Sequence, residues 1–391
     1  MTTSPTLADI FSRFGSAYRD LYGERMPLSH LKAMHAIETC RTPAQGGHLY
    51  ECDSCGKQHF VYHSCRNRHC PSCQFLPTER WIDGQRKDLL PIPYFHVVFT
   101  IPSELRRLFR SNQRLCYKLL FQAASQTLLT LAADPKHLGA QIGFIAILHT
   151  WSQTLAYHPH LHCIVTGGGL SPDLKHWAAT QGDFFIHVNV LGSLFRGKLL
   201  HLLRAAVDKG KLSPDPDQPF NRLIGPLYKK KWIAYCKEPF AGPQQVVDYV
   251  GRYTHRIAIS NRRITGMTDD TVSFRRRDPN DPKKSKPTAL PALEFLRRFL
   301  QHVLPSGFIK IRHYGILANR NRRACIARVR LLLCVHPQPE PVTPQAWHEL
   351  LRTLTGTDPF TCPYCNQGTL ILKARLQPLR APPSTPLALQ A

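Results

Sequence analysis

Acidic side chains are scarce in this 391-residue chain: 26 Asp and Glu stand against 51 Lys and Arg, a formal charge of +25. So one-sided a balance repels itself, and a polyanion is the partner that relieves it. Long apolar runs are missing as well. No stretch of about 18 apolar residues occurs, so no membrane-spanning helix is expected. Met1 to Arg13 lacks a basic start followed by an apolar block, which argues against secretion and for a cytoplasmic protein. There is no Gly-x4-Gly-Lys-Ser/Thr loop, so any strand-separating motor must come from elsewhere, and no helical His-Glu-x-x-His, which argues against a zinc hydrolase. No internal repeat is evident.

What is present is ample hydrophobic material, 43% of residues, enough for two to four structural units and against wholesale disorder. The basic residues sit within folded-looking sequence: Lys229 to Lys231, Arg262 and Arg263, Arg275 to Arg277, Lys283 to Lys286, and Arg320 to Arg323. With no amphipathic anchor beside them, they favour nucleic acid over a membrane surface.

Composition divides the chain at residues 1–90, 91–265, 266–335 and 336–391. The first part opens with a helical pattern over Leu7 to Ala36 and becomes rich in Cys and His. In the second, Tyr94 to Ile101, Ile142 to Thr150 and His160 to Thr166 read as strands, the last stopped by Gly167, Gly168 and Gly169. Ser103 is placed to cap a helix running on to Leu131, and Leu191 to Val207 is another. Gln244 to Tyr253 reads as a helix behind Pro243, and Arg256 to Ser260 as a further strand. The third part is a basic extension. The Pro-rich stretch Pro337 to Pro344 reads as a linker, followed by a short helix over Gln345 to Leu354, a cysteine pair, and a tail from Pro382 expected to be disordered. Strands and helices in this order predict an α+β or mixed fold.

Thirteen cysteines in a chain not expected to be secreted point to metal rather than disulfides. Cys52-x2-Cys55 and Cys70-x2-Cys73, fourteen residues apart, have the spacing of one tetrahedral zinc site. Cys40, His48, Cys65 and His69 lie close enough to supply a second ion or to exchange as ligands. Arg66 and Arg68 fall inside the metal-held loop, where they could grip phosphates. Further on, Cys362-x2-Cys365 is a zinc knuckle without its partner nearby; Cys334 and His336, across the Pro-rich stretch, could supply the other two ligands of a second zinc.

The central constellation is His160-Leu161-His162. Alternation along a strand places both imidazoles on one face, a bidentate platform for a divalent cation. His149, on the preceding strand, is the first choice for a third ligand, and Gln153 the second; His96 ranks below them. Downstream, Tyr249 and Tyr253 stand at helical i and i+4 and share a face. Arg252, Arg256, Arg275, Arg276, Arg320 and Arg322 are the basic residues most suited to phosphate contacts.

Taken together, Phe99-Thr100-Ile101-Pro102, His160-Leu161-His162, Tyr249 with Tyr253, and the cysteine cluster ending in Asn67-Arg68-His69-Cys70-Pro71-Ser72-Cys73-Gln74 resemble the HUH endonucleases. In particular they are similar to the two-tyrosine rolling-circle transposases of the insertion-sequence ninety-one type, over about residues 25–335. The resemblance implies a central antiparallel sheet flanked by helices, with an N-terminal zinc-binding domain. It implies Mg²⁺ or Mn²⁺ on the histidines and a tyrosine that cuts single-stranded DNA and stays joined to its 5′ end. The partners would then be transposon ends and target DNA, with a host helicase, at the bacterial nucleoid. A replication initiator or relaxase, or a non-catalytic zinc-dependent DNA-binding regulator, are the competing readings.

Overall fold

The computed structural model describes residues 4–181, 186–214, 216–237, 245–246, 251, 257–278, 281, 284–335 and 346–379. Thr6 starts the first helix with a reciprocal cap: its hydroxyl accepts from the Asp9 N–H at 3.3 Å, and the Asp9 carboxylate accepts from the Thr6 N–H at 2.7 Å. Where the periodicity predicts one helix there are two, α1 (Leu7–Tyr22) and α2 (Leu28–Glu38), parted by a turn ending at Pro27. The hairpin β1 (Gly47–Cys52) and β2 (Gln58–Tyr62) follows, then α3 (Phe75–Arg86).

The middle of the chain holds β3 (Tyr94–Thr100), α4 (Arg106–Ser111), α5 (Gln113–Ala133), β4 (Gln141–Trp151), β5 (Tyr157–Leu170) and β6 (Trp177–Ala179). After these come α6 (Val188–Asp208), α7 (Phe220–Lys229), β7 (Ala234–Lys237), β8 (Ile264–Met267), β9 (Thr271–Arg277) and β10 (Ser285–Pro291). The described chain closes with α8 (Ala292–Leu300), β11 (Ile311–Gly315), α9 (Arg322–Leu332), α10 (Trp347–Thr355) and β12 (Leu370–Leu376). No described helix is long and apolar enough to cross a membrane.

Every strand pairing among the described residues is antiparallel. A six-stranded sheet runs β11-β4-β5-β3-β7 with β6 beside β5, and two three-stranded sheets run β12-β1-β2 and β10-β9-β8. The α+β expectation is met. Strand alternation sorts the large sheet into two faces. Phe95, Val97 and Phe99, with Phe144, Ala146 and Leu148, and Leu161, Cys163 and Val165, meet residues of α5 and α6 in the main core. The opposite face carries Tyr94, Ile145, Ile147 and Ile164, packed by Ile326 and Val329 of α9 and by Val246.

Three local expectations fail for identifiable reasons. β5 does not stop at Gly167 but runs through all three glycines to Leu170, because they let other backbone approach rather than ending the strand. The Gly167 N–H donates to the Pro93 carbonyl at 2.7 Å, and a Cβ on Gly168 would lie 2.7 Å from the Ala178 carbonyl of β6. Ser103 does not cap a helix; a 3-10 turn opens there, and Asn112 (φ −126°, ψ 43°) divides the helical stretch into α4 and α5. The alternating residues Ile257 to Ser260 form no strand. Ile257, Ala258 and Ile259 are buried in the main core, with Ala258 at φ 58°. Arg256, most of the helix expected over Gln244 to Tyr253, the Pro337 to Pro344 stretch and the tail from Pro382 lie outside the described residues.

Candidate functional site

The cysteines gather in two groups of four, not in the one the spacing suggested. Cys40, Cys65, Cys70 and Cys73 form the first, and Cys52, Cys55, Cys362 and Cys365 the second, with all sulfurs of a group within 4.8 Å of one another. The reason Cys52 and Cys55 do not join Cys70 and Cys73 is the hairpin. Cys52 ends β1 at the tip, whereas Arg41, next to Cys40, is hydrogen-bonded to His63 at the open end. Six extended residues hold the two ends on the order of 17 Å apart, too far for one ion. The place beside Cys52 is filled by β12, whose Leu370 pairs with it.

Sulfur separations fit zinc. A Zn–S bond of about 2.3 Å in a tetrahedron sets neighbouring sulfurs about 3.8 Å apart. In the first group Cys40–Cys73 and Cys65–Cys73 are 3.5 and 3.6 Å; in the second Cys52–Cys365 and Cys55–Cys362 are 3.7 and 3.8 Å. All thirteen cysteines are free of disulfides. Thiol hydrogen bonds from Cys65 and Cys70 pull Cys40 down to about 7, and backbone N–H groups of Gly368 and Gln367 draw Cys365 down to about 6, while hydrogen bonds from Cys40 push Cys65 and Cys70 well up.

Neither expected histidine joins the cysteines. His69 donates from Nδ1 to the Asn67 side chain at 2.9 Å and accepts at Nε2 from the Leu304 N–H at 3.1 Å, so both nitrogens are engaged in tying the loop to the body. Burial, then the nearby Arg68, Lys310 and His30, hold its pKa down at about 3. His48 packs edge-on against His63 on the hairpin. Cys334 is exposed and stands in neither group, and His336 lies outside the described residues.

The histidine site is built by the large sheet. His160 and His162 of β5 and His149 of β4 lie on the face away from α5 and α6, and register places His149 directly opposite His160. Their ligand nitrogens lie within 4.8 Å of one another. The His160 Nδ1–H donates to its own chain's His158 carbonyl at 2.6 Å, which fixes the tautomer and leaves the lone pair on Nε2. His162 Nδ1 meets Nε2 of His96, on β3, at 2.8 Å, with the two rings stacked at an interplanar angle of 6°. His149 is buried and stacks on Trp151 with centroids 4.4 Å apart. Burial holds His160 down at about 4, and burial followed by the other histidines drives His162 well below its ordinary value. Both of these imidazoles are therefore held neutral, the form that can bind a cation. Gln153, the alternative ligand, is exposed in the turn beyond β4, where its carbonyl accepts from Arg263 at 2.7 Å.

His96 ranked low as a ligand; here it stands behind His162. Its signal is legible only from register, since β3 must pair with β5 before position 96 falls beside 162. Arg106 also reaches this end of the sheet, donating to His158 Nδ1 at 3.0 Å. Tyr235 of β7 approaches His96 from the sheet edge, ring centroids 6.4 Å apart.

Tyr249, Tyr253, Arg252 and Arg256 lie outside the described residues. Two neighbours of theirs are described. Val246 is buried in the cluster on the histidine-bearing side of the sheet, and a Cβ on Gly251 would touch Ile82 of α3. Among the basic residues, Arg66, Arg275 and Arg320 are exposed. Others are spent on the fold: Arg68 donates to the Phe308 carbonyl at 2.7 Å, Arg276 to Thr288 at 3.0 Å, and Arg322 pairs with Asp88 at 3.2 Å.

Comparison with known proteins gives the family. Residues 143–325 match a family described as "Putative transposase", and residues 10–101 match one described as "Transposase zinc-binding domain". Over 390 residues the chain is 46% identical to "Putative transposase y4qJ" of Sinorhizobium fredii (strain NBRC 101917 / NGR234), covering 97% of this chain and 98% of that one. It is 29% identical over 342 residues to the transposase for insertion sequence element IS801 of Pseudomonas savastanoi pv. phaseolicola, 83% of this chain and 79% of that one. A solved complex of the conjugative relaxase TrwC with mutant oriT DNA matches at 15% identity and a TM-score of 0.23, over 62% of this chain and 74% of that one. Sequence and cysteine geometry together define a zinc-binding transposase. The chain belongs to the insertion-sequence ninety-one family of transposases. The first cysteine group falls wholly within the matched zinc-binding region, and its four thiols are the donors that suit a structural zinc.

Proposed function

We propose that this transposase cuts and rejoins single-stranded DNA through a tyrosine ester, with His149, His160 and His162 as the ligands of a divalent cation. The observation that carries the reading is the convergence of three imidazoles on one face of the large sheet. Bound there, Mn²⁺ or Mg²⁺ would supply Lewis-acid polarisation of a non-bridging phosphate oxygen. An all-nitrogen donor set suits Mn²⁺ better than the oxygen-seeking Mg²⁺.

The protein's own groups do the rest. The phenol oxygen of Tyr249 or Tyr253 attacks phosphorus; the P–O3′ bond breaks, the 3′ oxygen leaves as a hydroxyl, and the 5′ phosphate remains esterified to the tyrosine. One phosphate ester replaces another, so rejoining needs no nucleotide cofactor. Two such tyrosines allow two successive transfers, from a transposon end and into a target. Support comes from Val246, buried on the histidine-bearing side of the sheet a few residues before Tyr249 in the chain. Exposed Arg66, Arg275 and Arg320 remain available for the DNA backbone. Unwinding would fall to a host helicase.

The test is a 3′-labelled single-stranded transposon end incubated with the full chain and Mn²⁺, then run on a denaturing gel. A protein–DNA adduct is expected with wild type and with Tyr235→Phe, and none with the Tyr249→Phe, Tyr253→Phe double variant. An adduct that survives the double variant overturns the assignment.

A further inference from the structure

We propose that Cys52, Cys55, Cys362 and Cys365 hold a second structural zinc, which clasps the C-terminal strand β12 onto the N-terminal hairpin. Half of this site lies outside the matched zinc-binding region, residues 10–101, and its two halves are more than 300 residues apart in the chain, with separations of 313 and 307 between the paired thiols.

Each half is a knuckle shaped for a metal. In Cys52-Asp-Ser-Cys55 the Cys55 N–H donates to Cys52 Sγ at 3.4 Å; in Cys362-Pro-Tyr-Cys365 the Tyr364 N–H donates to Cys362 Sγ and the Gly368 N–H to Cys365 Sγ, both at 3.4 Å. Backbone N–H groups aimed at sulfur stabilise thiolate, the form a zinc ion needs. The residue after the second cysteine turns left-handed in both knuckles, Gly56 at φ 68° and Asn366 at φ 55°. Gly368 is demanded by the closure itself, since a Cβ there would lie 2.4 Å from Cys52 Sγ. The knuckles are also bonded to each other: Asp53 N–H to the Thr369 carbonyl at 3.1 Å, and Thr369 N–H to the Asp53 carboxylate at 2.7 Å.

Burial alone does not account for the arrangement. The apolar cluster at this spot contains only Cys52, Cys362 and Leu370 as buried members, while Phe60, Val61, Ile371 and Leu372 of the same three strands face solvent. A sheet with so little core is the kind that a metal or disulfide must staple. A disulfide is not the staple, because the four sulfurs stand at zinc-like separations and all are free thiols. A bridge between such distant segments removes much freedom from the unfolded chain, so this ion would hold the molecule's two ends together.

Two measurements on the full chain decide the matter. Zinc analysis of purified protein is expected to find one equivalent fewer per chain in the Cys362→Ser, Cys365→Ser double variant than in wild type; equal contents overturn the proposal. Should that variant fail to fold, alkylation of native wild type followed by peptide mass spectrometry gives the answer. Cys334, exposed and outside both groups, is the internal reference for a free thiol. Cys55, also exposed, is expected to label at least tenfold more slowly in zinc-replete protein than after a zinc chelator is added, while Cys334 labels at the same rate in both. Labelling of Cys55 at a rate the chelator leaves unchanged overturns the proposal.

Discussion

At the residue scale the site is governed by which nitrogen of each imidazole is occupied. His160 is oriented by its bond to the His158 carbonyl, and His162 by its contact with His96. For His162 to present Nε2 to a cation, its Nδ1 must carry the proton and His96 must accept it. Partners of this kind tune metal affinity by about 10–100-fold. His96→Ala is therefore expected to weaken Mn²⁺ binding by that order, read by calorimetry, while His96→Gln, which keeps an acceptor, retains most of it. Unchanged Mn²⁺ affinity in His96→Ala would remove His96 from this role. A second residue-scale expectation concerns acid. His302 is fully buried, accepts from Thr150 at 3.1 Å and donates to the Leu155 carbonyl at 3.1 Å, and burial holds its pKa down at about 4. The unfolded chain therefore binds a proton near pH 6.5 that the folded chain refuses until about pH 4, so stability is lost as pH falls through that window. Denaturant midpoints should drop between pH 6.5 and 4, and less steeply in His302→Leu, a variant less stable at neutral pH. Equal slopes would show that His302 contributes nothing to the acid sensitivity.

At the scale of elements, strands β3, β4 and β5 were legible because their side-chain pattern is local. Phe144 and Leu148, or Leu161 and Val165, point to one core whatever else the chain does. The His-x-His pair shared a face for the same reason. The end of β5 was misplaced because glycine ends a strand or admits a neighbour with equal ease, and only β6 and Pro93 decide between them. This yields a prediction. Gly168 sits at φ +155° under the Ala178 carbonyl and the Trp177 ring, so Gly168→Ala should cost about 1–3 kcal/mol in strain. Chemical denaturation measures it, and a loss below about 0.5 kcal/mol, the range of ordinary surface changes, would refute the tight approach.

At the scale of the whole molecule, charge and chain closure dominate. With a formal charge of +25, DNA binding should be steeply salt-dependent. If six or more phosphates are contacted, raising salt from 50 to 200 mM is expected to weaken single-strand binding on the order of several hundred-fold or more. A fluorescence titration across that range checks this, and a flat response would mean that the net charge is not directed at DNA. The Tyr249→Phe, Tyr253→Phe variant should show the same slope, since the proposed phosphate contacts and the proposed nucleophiles are different residues.

The sequence by itself determined the chemistry available: the excess of cations, the thiols in close pairs, the imidazoles two apart on a strand, and the motifs of a transposase family. Those are properties of composition and short range, and they survive without any fold. Only the tertiary structure decided which thiols stand together and which histidine lies behind which. Cys52 is three residues from Cys55 in every conformation, but it meets Cys365 only because β12 pairs with β1. Likewise His96 stands behind His162 only through the register of β3 on β5. Spacing along a chain limits which groups can meet locally; it carries no information on which distant strand will fill an open edge.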